Sequence, residues 1–326
     1  MGYSTFDTLD NIYNADNYAI EFLDEWHNKL PYIIANTSGS TGIPKQIKLL
    51  KSDLIKSATA TCKYFNIDNS STLVSPLSSR YIAGKMMIVR AIVSGAKLWI
   101  ETPSNKPLSN DYGTIDLLPV VPSQVEWLLN EYVDTKCIKN LIVGGGNLSK
   151  KYEDSLIKLG INTYVTYGMT ETCSHIALRN IPNQIYETLS GITISNDDRN
   201  CLVINAPQFS FNEIITNDIV EILDNRHFKW IGRYDNIINS GGIKISPEKI
   251  EKQLSSVISD PFFIIGEPDD KWGESITLYI EVENVDKAKI LHNAKSILDN
   301  YCVPKKIKCV SKFEKTESGK ILRRIY

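Results

Sequence analysis

Residues 37–46 read TSGSTGIPKQ and follow directly on the apolar run Tyr32–Ala35. Four hydroxyl side chains, two glycines, a proline and a lysine stand in these ten positions. Such residues are typical of surface loops. Exposed backbone N–H groups, hydroxyl donors and a lysine are also what phosphate oxygens bind at the end of a strand. The spacing differs from the loop GxxxxGK[ST], because Gln46 follows Lys45. The stretch alone leaves a surface loop and a phosphate-binding loop equally open.

The composition favours a globular protein of about two domains, with 326 residues of which 42% are hydrophobic and 23% charged. The net charge of −2 speaks against a nucleic-acid partner. Six cysteines without a CxxC pair or zinc-type spacing predict reduced thiols and no zinc site. No apolar run approaches the ~18 residues of a membrane span, and the polar N-terminus is unlike a signal peptide. We therefore expect a cytoplasmic protein without a membrane partner.

Up to about residue 190, short apolar runs alternate with helical patterns, which predicts an α/β domain with a mostly parallel sheet. The runs that predict strands are YIIAN, STLVSP, AKLWI, IDLLPVV, NLIVGGG and NTYVTYG. From about 191 to 233 the short β runs predict a small antiparallel subdomain. A small α+β unit follows. We expect a large N-terminal domain over 1–233 and a small, mobile C-terminal domain over 234–326.

Two further loops resemble the first in composition: VGGGNLS at 143–149 and TYGMTET at 166–172. Loops that follow parallel strands meet at one edge of the sheet, where an extended ligand can lie. Gly144, Gly145 and Gly146 would let a flat base approach the backbone, and Tyr167 would offer it an aromatic face. Thr170 and Glu171 carry hard oxygen atoms suited to Mg²⁺ on phosphates.

Five motifs in order carry a resemblance to a known family: TSGSTGIPK, YGMTET, TND, IGRYDNIINSGGIKISPEKIE and KTESGKILRR. They are similar to the core motifs of the adenylate-forming superfamily of acyl- and aryl-CoA ligases. The resemblance implies that a carboxylic acid reacts with Mg-ATP to give an acyl-adenylate and pyrophosphate, and that CoA then displaces AMP. It also implies that the loop at 37–45 orients the ATP phosphates.

The resemblance assigns roles to individual residues. Lys320 matches the catalytic lysine on the mobile domain, with Thr170 and Glu171 as catalytic and metal-binding partners. Asp235 matches the hinge, and Asn217 stands where the family usually has glycine. The residues matching ATP contacts are Thr37, Ser38, Gly39, Ser40, Thr41, Gly42, Lys45, Gly144, Gly145, Gly146, Tyr167, Gly168, Asp218 and Arg233. The residues matching the CoA loop are Ser240, Gly241 and Gly242.

Two stretches, YIAGKMMIVRAIVSGAKL (81–98) and YGMTETCSHIALR (167–179), are most similar to o-succinylbenzoate–CoA ligases of menaquinone biosynthesis, in a short form. The acid of that family is an aromatic dicarboxylate, and its second carboxylate needs a cation because a buried unpaired anion is costly. Lys85 and Arg90 lie amid apolar neighbours and are the candidate cations. Ser174 and His175 are further candidates for the acid pocket, whereas Arg80 receives no assignment.

The phosphate loop begins at Thr37, so much of the family's usual N-terminal subdomain is missing from the chain. This leaves three alternatives to the leading hypothesis: another aryl- or acyl-CoA ligase, a ligase that loads a carrier protein, and a non-catalytic nucleotide-binding relative. The oligomeric state is also left open, a homodimer included, as is a partner chain that supplies the missing surface.

Overall fold

The computed structural model describes residues 11–36, 45–130, 135–315 and 321–326. The chain separates into two compact units. The first unit comprises residues 1–148, 152–193 and 206–212, and the second comprises 149–151, 194–205 and 213–326. The second unit therefore joins residues 213–233 to the C-terminal segment. The predicted boundary at residue 234 marks where a mobile C-terminal domain would begin, and it stays a prediction.

The first unit contains two sheets with parallel strands and one hairpin. Its helices begin with α1 and continue to α5: Asn17–His27, Lys51–Phe65, Ile82–Ser94, Pro122–Asn130 and Lys150–Lys158, the last beginning just inside the second unit. Its strands β1 to β10 are Ile12–Tyr13, Tyr32–Asn36, Gln46–Leu50, Thr72–Ser75, Lys97–Ile100, Leu118–Val120, Leu141–Val143, Thr163–Met169, Ser174–Asn180 and Tyr186–Thr188. Strands β1, β5 and β4 form a parallel sheet, and β6, β7 and β8 are also parallel. The predicted α/β class is confirmed.

The core of the first unit explains why α3 is almost wholly apolar. Its residues from Gly84 to Ala91 are all buried, and they pack with α1 and α2 over β4 and β5. A helix with apolar residues on every side is one that is enclosed on every side. The helix ends at Gly95, whose φ of 73° is the left-handed conformation that glycine adopts at little cost.

The second unit combines an antiparallel sheet with the predicted α+β unit. Its strands β11 to β19 are Thr193–Asn196, Cys201–Ala206, Asn212–Ile222, His227–Arg233, Ile238–Ser240, Ile243–Ile245, Phe262–Asp269, Gly273–Glu281 and Lys306–Val310, and its helices α6 and α7 are Pro247–Leu254 and Lys287–Ile297. β13 pairs antiparallel with β14, and β18 lies between antiparallel β17 and parallel β19. Apolar residues of α6, α7 and this last sheet form a separate core.

Helix α1 and strands β3 and β9 are among the elements that were not predicted. Helix α1 has a short amphipathic pattern, and its N-cap Asp16 accepts the Ala19 N–H at 2.8 Å. Strand β3 has the sequence QIKLL, whose first four residues alternate between polar and apolar, and it forms by pairing antiparallel with β2. Strand β9 pairs antiparallel with β8, whereas β7 pairs parallel with β8, so the sheet is mixed at this point. In the described part of the chain, no helix is long and apolar enough to span a membrane.

Gly84 gives a test of the packing around α3. A Cβ atom on Gly84 would lie 2.4 Å from the Ser78 carbonyl oxygen and 2.7 Å from the Ser79 nitrogen, both backbone atoms. We expect Gly84→Ala to lower the free energy of unfolding by about 2 kcal/mol or more, because the backbone must shift. Urea unfolding followed by circular dichroism measures the change. Gly146→Ala is the matched control, since its Cβ would meet Pro122 at 3.4 Å, an ordinary contact. Equal losses in both variants would contradict the steric argument.

Candidate active site

The glycine loop after β7 lies beside β8, as predicted. β7 and β8 are parallel, with Val143 opposite Val165. A Cβ atom on Gly144 would lie 2.6 Å from the Thr166 Oγ1, which donates a hydrogen bond to the Val143 carbonyl at 3.3 Å. Gly145 has a φ of 78°, so the loop turns sharply at a position that favours glycine. The result is a stretch of bare backbone next to the strand that carries Tyr167.

Gly168 sits where β8 and β9 approach each other most closely. A Cβ atom there would lie 2.2 Å from the Ser174 carbonyl oxygen and 2.5 Å from the His175 Cα. The register between the two strands shifts between Tyr167 and Gly168, which marks a β-bulge. Bulges of this kind redirect the side chains that follow. Gly168 is thus required by the backbone itself.

The turn that follows presents Thr170 and Glu171. Thr172 is fully buried, and its hydroxyl accepts the Met169 N–H at 3.0 Å. Its single proton has two acceptors within reach, the Ser174 carbonyl at 2.7 Å and the Met169 carbonyl at 2.9 Å. The Cys173 N–H donates to the Thr170 carbonyl at 2.9 Å. Glu171 is exposed on this fixed turn. A hydroxyl and a carboxylate on adjacent residues suit Mg²⁺ carried on phosphates, although the described residues form no cluster of three His, Cys, Asp or Glu that could hold a metal ion by themselves.

Arg90 is buried to 98% in the first unit, on α3. One of its terminal nitrogens donates to the Ser174 Oγ at 3.0 Å, and the other lies 3.4 Å from the Met87 sulfur. Its Nε has no hydrogen-bond partner, and no carboxylate of the described residues lies within ion-pair distance. Burial lowers the pKa of Arg90 to about 10. The guanidinium is therefore a buried cation without a counterion in the part of the chain that the structure describes.

His175 belongs to the same cluster. Its Nε2 lies 3.1 Å from the Thr61 Oγ1 and its Nδ1 lies 3.5 Å from the Ser174 Oγ. Burial, and secondly the charge of Arg90, lower the pKa of His175 well below its ordinary value. The imidazole is thus neutral at pH 7. The structure brings Arg90, Ser174 and His175 together, as three of the four residues predicted for the acid pocket.

Lys85, the fourth, has a different environment. Its ammonium group lies 3.1 Å from the Glu25 carboxylate and donates to the Ile34 carbonyl at 3.0 Å. It also lies 4.9 Å from the centre of the Phe22 ring. Lys85 therefore has a counterion on α1, whereas Arg90 has none in the described residues. A role of Lys85 toward substrate stays a prediction.

In the second unit, Asp218 and Arg233 face each other across β13 and β14. The Arg233 guanidinium lies 3.7 Å from the Asp218 Oδ1, which also accepts the Trp230 Nε1–H at 3.1 Å. Arg233 donates to Asp235 at 2.9 Å, and the Asn217 amide donates to both Asp235 oxygens at 3.1 and 3.2 Å. The predicted ribose and hinge residues are hence one polar cluster.

The predicted CoA loop is a tight hairpin between β15 and β16. Ser240 pairs with Ile243, and Gly241 and Gly242 have φ values of 59° and 82°. Two central residues with positive φ are what a type I′ turn requires. A Cβ atom on Gly241 would lie 2.8 Å from the indole of Trp272, so the turn also packs closely on this ring.

Several predicted residues lie outside the described part of the chain: Thr37, Ser38, Gly39, Ser40, Thr41, Gly42 and Lys320. Lys45 is described and exposed. The described residues on either side of each of these two segments pair with each other. Asn36 pairs with Gln46 at the end of the β2–β3 hairpin, and Lys315 forms an antiparallel bridge with Ile321. Arg323 then holds Glu251 of α6 through two hydrogen bonds of 2.7 Å.

Sequence reasoning missed the residues that support these groups. Trp230 binds Asp218, Glu25 binds Lys85, and Tyr186 contacts Tyr167 with ring centres 6.0 Å apart. Glu25 lies on helix α1 and Tyr186 on strand β10, neither of which was predicted, and Trp230 lies on the strand that pairs with the one carrying Asp218. No local pattern in the sequence distinguishes them from other aromatic or acidic residues.

Curated relatives with the same printed name match over most of the chain. A 2-succinylbenzoate–CoA ligase of Staphylococcus aureus is 24% identical over 88% of this chain and 65% of its own length. One of Listeria monocytogenes is 26% identical over 95% of this chain and 72% of its own length. The chain thus spans about two thirds of the length of these relatives.

Solved structures agree on the fold. An acyl-CoA synthetase (AMP-forming)/AMP-acid ligase II-like protein from Dyadobacter fermentans is 32% identical, with a TM-score of 0.64 over 93% of this chain and 91% of its own. The O-succinylbenzoate Coenzyme A Synthetase from Bacillus subtilis, in complex with ATP and magnesium ion, has a TM-score of 0.79 at 20% identity, over 89% of this chain and 68% of its own.

Two family profiles match the sequence. The profile of the AMP-binding enzyme covers residues 9–201, and that of the AMP-binding enzyme C-terminal domain covers residues 262–320. The first range includes the motifs at 37–45 and 167–172, and the second includes the first six residues of the C-terminal motif at 315–324. The motifs at 216–218 and 231–251 lie between the two ranges. Because the first profile alone covers more than half of the 326 residues, the chain belongs to the AMP-binding enzyme family.

Proposed function

We propose that this protein is an ATP-dependent acid–CoA ligase that acts through an acyl-adenylate, and that its acid is o-succinylbenzoate. The single observation that carries the choice of acid is the buried Arg90 guanidinium, which has no carboxylate partner among the described residues. The names of the curated relatives support the same acid.

The reaction has two steps. In the first, a carboxylate oxygen of the acid attacks the α-phosphorus of Mg-ATP, and the bond to the pyrophosphate leaving group breaks. In the second, the CoA sulfur attacks the acyl carbon, AMP leaves with the bonding electron pair, and the thiol proton passes to solvent. Negative charge on phosphate oxygens dominates the first transition state, so preorganised cations and N–H groups provide most of the stabilisation.

The roles of the site residues follow from chemistry and from the family resemblance. The bare backbone at Gly144–Gly146 and the ring of Tyr167 receive the adenine. Asp218 accepts hydrogen bonds from the ribose hydroxyls. Thr170 and Glu171 provide oxygen ligands for the magnesium ion of Mg-ATP. The remaining assignments are Lys45 and residues 37–42 for the phosphates, Arg233 for ribose or phosphate, Lys320 for the reaction centre, Asp235 for the hinge, and Ser240, Gly241 and Gly242 for CoA.

Arg90 is the argument for a dicarboxylate. A buried cation without a counterion costs free energy, and a protein that needed only stability would have a nonpolar side chain at this position. A carboxylate that accepts hydrogen bonds from the guanidinium would offset that cost and satisfy the Nε. The Ser174 hydroxyl and the neutral His175 lie beside it and offer further hydrogen bonds. An acid with one carboxylate, which is consumed in the reaction, leaves Arg90 unpaired.

A second candidate is a broader acyl-CoA synthetase. It is favoured by the 32% identity to the Dyadobacter fermentans protein, whose printed name specifies no particular acid. The two candidates share the chemistry of the reaction and differ in the acid alone, so a panel of acids separates them.

Pyrophosphate release with Mg-ATP and CoA tests the proposal. We expect release with o-succinylbenzoate and little with benzoate, succinate, a medium-chain fatty acid or no acid. Lys320→Ala is the control: it should abolish adenylation while largely sparing thioester formation from supplied adenylate. Release with a different acid would retain the chemistry and reject the substrate. If ATP binds but no acid of the panel causes pyrophosphate release, a carrier-protein ligase or a non-catalytic nucleotide-binding protein would be favoured.

Arg90→Met tests the second carboxylate. We expect kcat/KM for o-succinylbenzoate to fall about 10²- to 10³-fold, because a buried charged pair is lost, with the KM for ATP changing less than about twofold. The variant should unfold at the same or a higher urea concentration, since a nonpolar group replaces an unpaired buried charge. Lys85→Met is the comparison. If Lys85 binds the second carboxylate, this variant loses the acid preference and Arg90→Met keeps it.

The depressed pKa of His175 predicts a pH dependence of stability. In the unfolded chain the imidazole takes up a proton below about pH 6.5, whereas the buried ring beside Arg90 does not. Its contribution to stability is therefore fully present above pH 6.5 and is lost as the pH falls toward the folded-state pKa. We expect the free energy of unfolding to decline below pH 6.5 more steeply than in His175→Gln, by up to about 1.4 kcal/mol per pH unit. Parallel profiles of the two proteins between pH 7 and 5 would refute this.

A further inference from the structure

A buried ion pair lies next to the predicted adenine site and has no role in the proposed reaction. Arg179 of β9 and Glu153 of α5 form it, with their nearest nitrogen and oxygen 2.5 Å apart. The two residues are only 6% and 4% exposed. The other terminal nitrogen of Arg179 donates to the Asn183 carbonyl at 2.7 Å, in the turn that leads to β10. Arg179 therefore fixes both its own strand and the start of the next one.

Tyr186, the first residue of β10, connects this pair to Tyr167. The Arg179 guanidinium lies 5.7 Å from the centre of the Tyr186 ring, within the range of a cation–π contact. The rings of Tyr186 and Tyr167 have centres 6.0 Å apart and planes at 65°, an edge-to-face arrangement. Tyr186 also packs against the apolar core that contains Val165. One continuous set of contacts thus runs from Glu153 to Tyr167.

The charge state of the pair supports a fixed arrangement. Burial by itself lowers the pKa of Arg179, but the hydrogen bond to Glu153 and the nearby Tyr186 hydroxyl outweigh it, so that the pKa is raised. Burial also raises the pKa of Tyr186. At neutral pH the guanidinium is charged and the phenol is neutral, and this combination keeps the ring against the cation.

Tyr167 itself is only partly buried, and it lies at the start of the bulge formed with β9. A partly exposed aromatic side chain has alternative rotamers, and a ligand that needs one of them must bear the cost of selecting it. The Tyr186 ring contacts both Tyr167 and the buried Arg179. It therefore limits the rotamers of Tyr167 in the free protein, so that binding does not have to bear that cost.

We propose that Tyr186, held by the Arg179–Glu153 pair, is a positioning residue that fixes the plane of Tyr167 for the nucleotide base. This inference rests on the proposed function, in which Tyr167 receives the adenine, and it assigns part of the affinity for the nucleotide to three residues outside the five core motifs. Neither Tyr186 nor Arg179 needs to touch the nucleotide.

A double-mutant cycle on ATP binding tests the proposal. Calorimetry of ATP with the full-length protein, without any acid, gives the Kd for wild type, Tyr186→Leu, Tyr167→Leu and the double variant. We expect Tyr186→Leu to raise the Kd for ATP about 3- to 10-fold in the wild-type background, the range of an aromatic pair. In the Tyr167→Leu background the same change should alter the Kd less than about twofold, because Tyr186 acts through Tyr167.

Two further variants separate positioning from general structure. Tyr186→Phe keeps the ring, and we expect its Kd for ATP to stay within about twofold of wild type. Tyr112→Leu is the matched control, since Tyr112 is also a partly buried tyrosine of the first unit that packs on an aromatic ring, that of Trp99 at 5.5 Å, and binds a buried carboxylate, that of Glu101. It should leave the Kd for ATP unchanged even where it lowers the unfolding midpoint.

Equal changes of Kd in both backgrounds, or an equal change in Tyr112→Leu, would overturn the inference. So would a wild-type protein that does not bind ATP. Failure of this inference is distinguishable from failure of the proposed function, because the double-mutant cycle measures ATP binding and needs no turnover. A protein that shows the coupling in ATP binding but releases no pyrophosphate with any acid would support the inference and reject the proposed reaction.

Discussion

The close approach of β8 and β9 at Gly168 is the constraint on which the rest of the first unit's site depends. With no side chain at that position, the Ser174 carbonyl oxygen lies 2.2 Å from where a Cβ atom would be. The bulge that results turns the chain so that Thr170 and Glu171 lie on one tight turn and Ser174 and His175 begin the returning strand. Any residue larger than glycine would separate the two strands. It would move Thr170 and Glu171 as well as Ser174 and His175.

The sequence was sufficient for the parallel strands β4 to β8, because each is a short apolar run bounded by glycine, proline, asparagine or serine, as in STLVSP and NLIVGGG. It was not sufficient for β3 and β9. QIKLL alternates polar and apolar residues over only four positions, and SHIALRN reads as the continuation of a loop, so tertiary pairing decides both. Arg90 and His175 could be chosen as candidates from their motifs. Their proximity could not be predicted, because they are 85 positions apart in the sequence and are connected through Ser174.

Three buried cations of the first unit show three different solutions to one electrostatic problem. Lys85 has the Glu25 carboxylate, and Arg179 has that of Glu153. Arg90 has only neutral neighbours among the described residues. Since desolvation penalises every charge that lacks a partner, the contrast within one unit is more informative than the burial of any single residue. Two of the cations are paired within the fold, and the third is the one for which we propose a carboxylate of the acid as the partner.

Trp230 has a consequence for observing the protein at work. Its indole N–H donates to the Asp218 carboxylate, the group proposed to receive the ribose. Indole emission responds to the hydrogen bond at its nitrogen and to nearby charge, so a ligand that bound to the Asp218 carboxylate would change the emission of Trp230. The chain has five tryptophans, and the other four, Trp26, Trp99, Trp127 and Trp272, have no hydrogen bond to this carboxylate. With Asp218 in the role proposed for it, the fluorescence of Trp230 would report nucleotide occupancy with no label attached.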